Sequence, residues 1–324
     1  MRHERCGFTI MAPKNAKKKP VKERWLVTAW PGMGAVAVTA VVYLLSKLKM
    51  REIAEFDAHD LFELEEAEVE GGLIGAARLP RSRLFLAEDA APGRDIVVFL
   101  GEAQPSTGKF ALCRRLLETA RGLGVTRVFC FAAWVSDMEP SAPSRVHGVA
   151  TDDAGLDDLR RQNVTVINNG KITGLNGVLL AAAVESGLPG LGLLGEMPAL
   201  AYQLPSPSAS AAVLRVFSAM AGVNLELDEL ERYGRRMQEQ LSSAYQQALK
   251  ALGEAGSEPS QDAPERPTAT APGDMSAEDV QRIEKLFAHA KKDRAKAFEL
   301  KTELDRHGVF RQFEDRFLSL FKER

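Results

Sequence analysis

Two glutamates occupy the same kind of position. Glu102 follows Gly101 and Glu196 follows Gly195, and each glycine ends a short apolar run, Asp95 to Leu100 and Leu191 to Leu194. Two carboxylates on neighbouring strands would split their pKa values and do acid–base work, or ligate a hard cation. Alternatively, each carboxylate accepts backbone N–H bonds from an adjacent turn and fixes the loop. Asn169, in Asn168-Asn169-Gly170, and Asn176, in Gly174-Leu175-Asn176-Gly177, carry the same two readings, because asparagine is a turn former as well as a ligand. Near the start, Trp30-Pro31-Gly32-Met33-Gly34 joins a strand pattern to a helix pattern. Glycine lets another group approach the backbone there, and amides at a helix start can hold an anion. The segment lacks the Gly-Lys-Ser/Thr of a phosphate loop and the spacing of a dinucleotide fingerprint, so close packing of helix on strand is the favoured reading. Gln104, Pro105 and Pro198 complete the set of turn residues that would line one crevice.

Other chemistries find little support. There is no Gly-x-Ser-x-Gly elbow, and Ser106-Thr107 reads as a helix cap. Cys113 and Cys130 sit in apolar patterns and read as buried small hydrophobes of a reducing, cytoplasmic compartment. The five histidines make no motif with a cysteine, and His147 has no evident partner. No Cys/His cluster has zinc-ligand spacing, so no metal, cofactor or catalytic residue is assigned. A net charge of −2 makes no bulk electrostatic case for nucleic acid or membrane.

The elements that must position these turns follow from periodicity. Short apolar runs followed by helical patterns predict buried strands with crossover helices, whose carboxyl-end loops line a crevice. Strands are expected at Trp25–Trp30, Glu52–Asp57, Asp95–Leu100, Arg127–Ala133, Arg145–Ala150, Val164–Ile167 and Leu191–Leu194, with strand-like pieces at Leu73–Leu79 and Leu84–Ala87. Helices are expected at Ala35–Leu48, Lys109–Arg121, Leu156–Arg161, Gly177–Ser186, Ala209–Ala221 and Leu227–Leu252. The turns after Trp30, Leu100, Ile167 and Leu194 should therefore share one sheet edge. The apolar stretch Met33–Leu45 is too short for a bilayer span of about 20 residues.

Flanking segments differ in character. Residues 1–24 hold a lysine-rich run that reads as a disordered basic arm, with Met11 a second candidate start. Residues 253–275 contain four prolines and no large apolar side chain before Met275, and read as a disordered linker. Residues 276–324 carry a capping pattern at Ser276–Asp279 and an apolar series including Phe298, Phe310, Phe313, Phe317 and Phe321. This is a helical appendage, too small for a strong core of its own and expected to dock on the main domain or a partner.

Trp30-Pro31-Gly32-Met33-Gly34, then Gly101-Glu102-Ala103-Gln104-Pro105, then Gly174-Leu175-Asn176-Gly177 and Leu193-Leu194-Gly195-Glu196-Met197-Pro198, in that order, resemble the family named after the second proteasome assembly chaperone (PAC2). The resemblance spans about Trp25 to Leu252. It implies a three-layer α/β/α fold with a mixed sheet, of the phosphorylase/hydrolase-like class. It also implies a homo-oligomer, with a trimer the favoured state, and a non-enzymatic assembly-chaperone or adaptor role. The alternative is an ATP-grasp- or phosphorylase-like binder of nucleotide or small molecule using a Glu102/Glu196 crevice. Some archaeal members of the family end in a hydrophobic-Tyr-any residue tail that docks on the proteasome; the sequence here ends Leu320-Phe321-Lys322-Glu323-Arg324, so that route is not expected.

Overall fold

The computed structural model describes residues 22–63, 69–70, 72–75, 78–255 and 275–322. In chain order the elements are β1 (Glu23–Ala29), α1 (Val36–Lys47), β2 (Arg51–Glu55), β3 (Val69–Glu70), β4 (Leu73–Ile74), β5 (Ser82–Ala91), β6 (Arg94–Gly101), α2 (Lys109–Gly122), β7 (Val125–Ser136), β8 (Val146–Ala150), α3 (Asp153–Arg161), β9 (Thr165–Val166), α4 (Gly174–Ser186), β10 (Gly190–Pro198), α5 (Pro207–Ala221) and α6 (Asp228–Ala255). Beyond residue 274 come α7 (Ala277–Lys292), α8 (Ala297–Arg306) and α9 (Phe310–Leu318).

Eight strands form one mixed sheet in the order β2-β5-β6-β1-β7-β10-β8-β9. The central four, β6, β1, β7 and β10, are mutually parallel. The outer strands β5, β2 and β8 run against their inner neighbours, and β9 runs parallel to β8. Central strands are apolar on both faces, as burial under two helical layers requires. In β1, Trp25, Val27 and Ala29 join one core with α1 and α5, while Leu26, and Trp30 just past the strand, join a second core with α2 and α4. β6 and β7 alternate in the same way. The architecture is a three-layer α/β/α sandwich on a mixed sheet.

Several boundaries differ from the sequence reading. β1 begins at Glu23 inside the expected basic arm, because Glu23 and Arg24 pair with Arg94 and Asp95 across the sheet and are neutralised there. Residues 1–21 lie outside the described residues. β10 does not stop at Leu194 but continues through Pro198, because the equally long β7 offers it partners as far as Ser136. Of the strand expected over Leu73–Leu79, Leu73–Ile74 form β4, paired with β3, and residues 76–77 lie outside the described residues. Helix α6 reaches Ala255, past the expected boundary at Leu252, and the rest of the expected linker up to residue 274 lies outside the described residues.

The C-terminal helices pack on the face that α1 leaves open. Phe298 meets Tyr43 edge-on with ring centroids 4.7 Å apart, and Phe321 meets Phe85 of β5 at 6.3 Å. Phe298, Phe317 and Phe321 are all buried in the same core as α1 and β1. Such aromatic anchors each remove about 150–250 Å² from water, enough to hold short helices in place. No helix among the described residues is long and apolar enough to cross a membrane.

Candidate functional site

Because β1, β6, β7 and β10 are parallel, the turns following them meet at one sheet edge. Gln104 ties three of these turns together. Its side-chain amide donates to the Pro31 carbonyl at 3.1 Å, and its Oε1 accepts the Leu175 amide at 3.1 Å. One uncharged side chain thus joins the turn after β1, the turn after β6 and the first turn of α4, where Gly174, Asn176 and Gly177 lie. Two glycines make room for neighbouring side chains. A Cβ on Gly101 would stand 2.6 Å from the Trp30 indole. A Cβ on Gly34 would stand 2.5 Å from Met197 Sδ, and Gly34 also adopts φ +61°, a region favouring glycine. Trp30, Gly34, Gly101, Pro105 and Pro198 are buried, whereas Gly32 and Met33 are exposed. The space left by these glycines is filled from within the chain.

Glu102 is held by arginines. Its Oε2 accepts the Arg81 amide at 2.9 Å and Arg78 Nη1 at 3.0 Å, and its Oε1 lies 3.4 Å from Arg83 Nη2. The Arg83 side chain is 1% exposed. Asp315 of α9 reaches the same three arginines: Arg78 at 3.3 Å, Arg81 at 3.0 Å, and Arg83 in a close contact. Glu55 pairs with Arg81 from the other side, its Oε1 accepting Arg81 Nε at 2.6 Å. Hydrogen bonds and ion pairs with Arg81 hold Glu55 below the usual carboxylate range. Next to Asp315, Glu314 is buried beside Glu102; burial first, then repulsion from Glu102, raises its pKa to about 7 despite Arg83, Arg311 and Lys301.

Glu196 belongs to a different group. Its Oε1 accepts the Ser136 hydroxyl at 2.8 Å, and its Oε2 lies 3.8 Å from His147 Nε2. His147 stacks on Trp134 at 4.8 Å between ring centroids. The sequence left His147 without a partner; the pairing of β8 with β10 supplies one, by setting His147 opposite Leu194 and so beside Glu196. The hydroxyl points at the acid and not at the imidazole, so the three groups do not make a nucleophile–base pair. β1 and β7 separate the strands bearing Glu102 and Glu196. At roughly 4.8 Å per strand the two acids stand on the order of 14 Å apart. They share an edge but not a site, which corrects the expectation of a coupled acid pair.

Asn169 also departs from the expected edge. It follows β9, which runs opposite to the four central strands, and it is exposed. Asn176 lies in the first turn of α4 with its Oδ1 buried and without a hydrogen-bond partner. Cys113 and Cys130 are buried, and burial pushes both thiols up to about 12, the range of inert thiols.

A cleft of about 900 Å³ opens beside the turn after β1. Its walls include Pro31, Gly32 and Gly34, the segment 202–205, and Lys301, His307 and Glu314 from the C-terminal helices. Tyr202 and Leu204 on its wall, and Met33 and Leu200 next to lining segments in the sequence, are 47–51% exposed. Residues 26–244 match the family described as PAC2 family. The chain belongs to the PAC2 family. A solved PAC2 family protein from Streptomyces avermitilis is 27% identical, with a TM-score of 0.59 over 68% of this chain and 95% of that one. Pyrococcus furiosus PbaB, described as an archaeal proteasome activator, is 20% identical with a TM-score of 0.59, covering 74% of this chain and 98% of its own. A Mycobacterium tuberculosis proteasome-assembly chaperone homologue is 22% identical with a TM-score of 0.59, covering 68% and 94%. At these identities the latter two show the fold alone. The family match ends before α7, so the helices that hold Asp315 against Arg78, Arg81 and Arg83 lie beyond the PAC2 region.

Proposed function

We propose that this PAC2 family chain is a non-enzymatic assembly chaperone or adaptor that works as a homo-oligomer, with a trimer favoured. The observation that carries this reading is the use made of the family's turn residues. Gln104 bonds two backbone groups, Glu102 is spent on arginines, and Gly34 and Gly101 accommodate Met197 and Trp30. These residues build a rigid frame and present little to a small ligand. What the frame does present is apolar: Tyr202 and Leu204 on the cleft wall, with Met33 and Leu200 exposed in the adjoining segments. Exposed apolar groups rimmed by polar ones suit protein contact. The names of the proteasome-linked structural relatives agree with a client that is itself a subunit of an assembly.

Native mass spectrometry of the purified chain tests this reading. A homo-oligomer without retained nucleotide or metabolite is the expected result. A stoichiometric nucleotide bound to a monomer would favour the small-molecule alternative, which the two strands between the acids already weaken.

A further inference from the structure

A cluster that the sequence does not reveal lies between α7 and α8. Glu303 and His307 are four residues apart at the end of α8, which sets them on one helix face. Asp279, in the first turn of α7, is brought opposite them by the packing of the two helices. One oxygen of Asp279 is engaged, accepting the Ser276 hydroxyl at 2.6 Å and the Ser276 amide at 3.2 Å. Its other oxygen stands 3.7 Å from His307 Nε2, and Glu303 Oε1 stands 3.6 Å from the same nitrogen. The three atoms lie within 4.8 Å of one another.

These separations are too long for hydrogen bonds. They are close to the spacing of atoms that share one ion. Ligands at about 2.0–2.2 Å in tetrahedral array stand roughly 3.4 Å apart. Glu303 is 7% exposed, and neither its Oε1 nor His307 Nε2 has a hydrogen-bond partner. Arg282 Nε lies 3.2 Å from Glu303 Oε1 without forming a hydrogen bond, and Arg306 Nη1 lies at 3.7 Å. Both arginine side chains are more than 60% exposed and free to turn to water when a cation arrives.

We propose that Asp279, Glu303 and His307 form a zinc site that fastens the start of α7 to the end of α8. Two carboxylates balance the dication, and the imidazole favours a borderline ion over magnesium or calcium. The fourth position is left for water. His307 also lines the cleft, so the ion would stiffen one of its walls. The inference is independent of the chaperone reading.

The test uses the full chain in a Cys6→Ser background, stripped with chelator and titrated with Zn²⁺ alone. One equivalent should bind, the melting temperature should rise, and Mg²⁺ at the same concentration should have no effect. His307→Gln and Asp279→Asn should each weaken binding at least tenfold. Cobalt substitution gives a second readout that needs no variant to fold: intense tetrahedral d–d bands without thiolate charge transfer. Absence of a bound equivalent, unchanged affinity in either variant, or a thiolate spectrum would overturn the proposal.

Discussion

At the residue scale, Glu102 is structural in this account. Glu102→Gln removes the charge that faces Arg83, a nearly inaccessible guanidinium, and weakens the bonds from Arg78 and the Arg81 amide. Hydrogen bonds to charged groups contribute about 1.5–3 kcal/mol, so the variant should melt several degrees lower. Magnesium should leave the melting temperature of both proteins unchanged; a cation-dependent rise confined to wild type would give Glu102 a ligand role. Glu314 has the opposite sign. Its folded pKa of about 7 exceeds the ordinary value of 4.5, so the acid favours the folded state below pH 4.5, and that stability is lost as pH rises to about 7. Glu314→Gln should therefore stabilise the protein at pH 8, by up to about 3 kcal/mol at 1.36 kcal/mol per pKa unit, and change little at pH 4.5. Equal effects at both pH values in denaturant titrations would contradict this.

At the element scale, the helices after residue 274 cover apolar surface. Removing Met275–Arg324 would uncover Tyr43 and Phe85 and leave Arg83 without Asp315. The truncated chain should keep the circular dichroism of its remaining elements, losing only the helical signal of α7, α8 and α9, but bind a hydrophobic dye and aggregate; a larger loss of secondary structure would show that the core needs these helices to fold. The strands of the central sheet are legible because each is a continuous apolar run. Strand direction is not. Val164–Ile167 reads like a parallel strand, yet β9 runs the other way, because only partner choice sets orientation. The separation of Glu102 from Glu196 was hidden for the same reason, since strand order is not local information. His147 beside Glu196 and Asp279 beside His307 are long-range pairs of this kind. Gln104 was read as part of a turn, and its role became visible only once two other turns lay within reach.

At the scale of the whole molecule, the PAC2 turns brace one edge of the sheet, the C-terminal helices lock onto that edge through Asp315, and an apolar rim remains exposed. The central proposal is that the chain is a homo-oligomer, and we propose this rim as the surface through which its copies meet. Multi-angle light scattering of the full chain, beside Tyr202→Glu, tests it most directly. A single species of defined stoichiometry is predicted for wild type, and a folded, smaller species for Tyr202→Glu, because a carboxylate on the rim cannot be buried without cost. A wild type that stays monomeric at micromolar concentration would contradict the account.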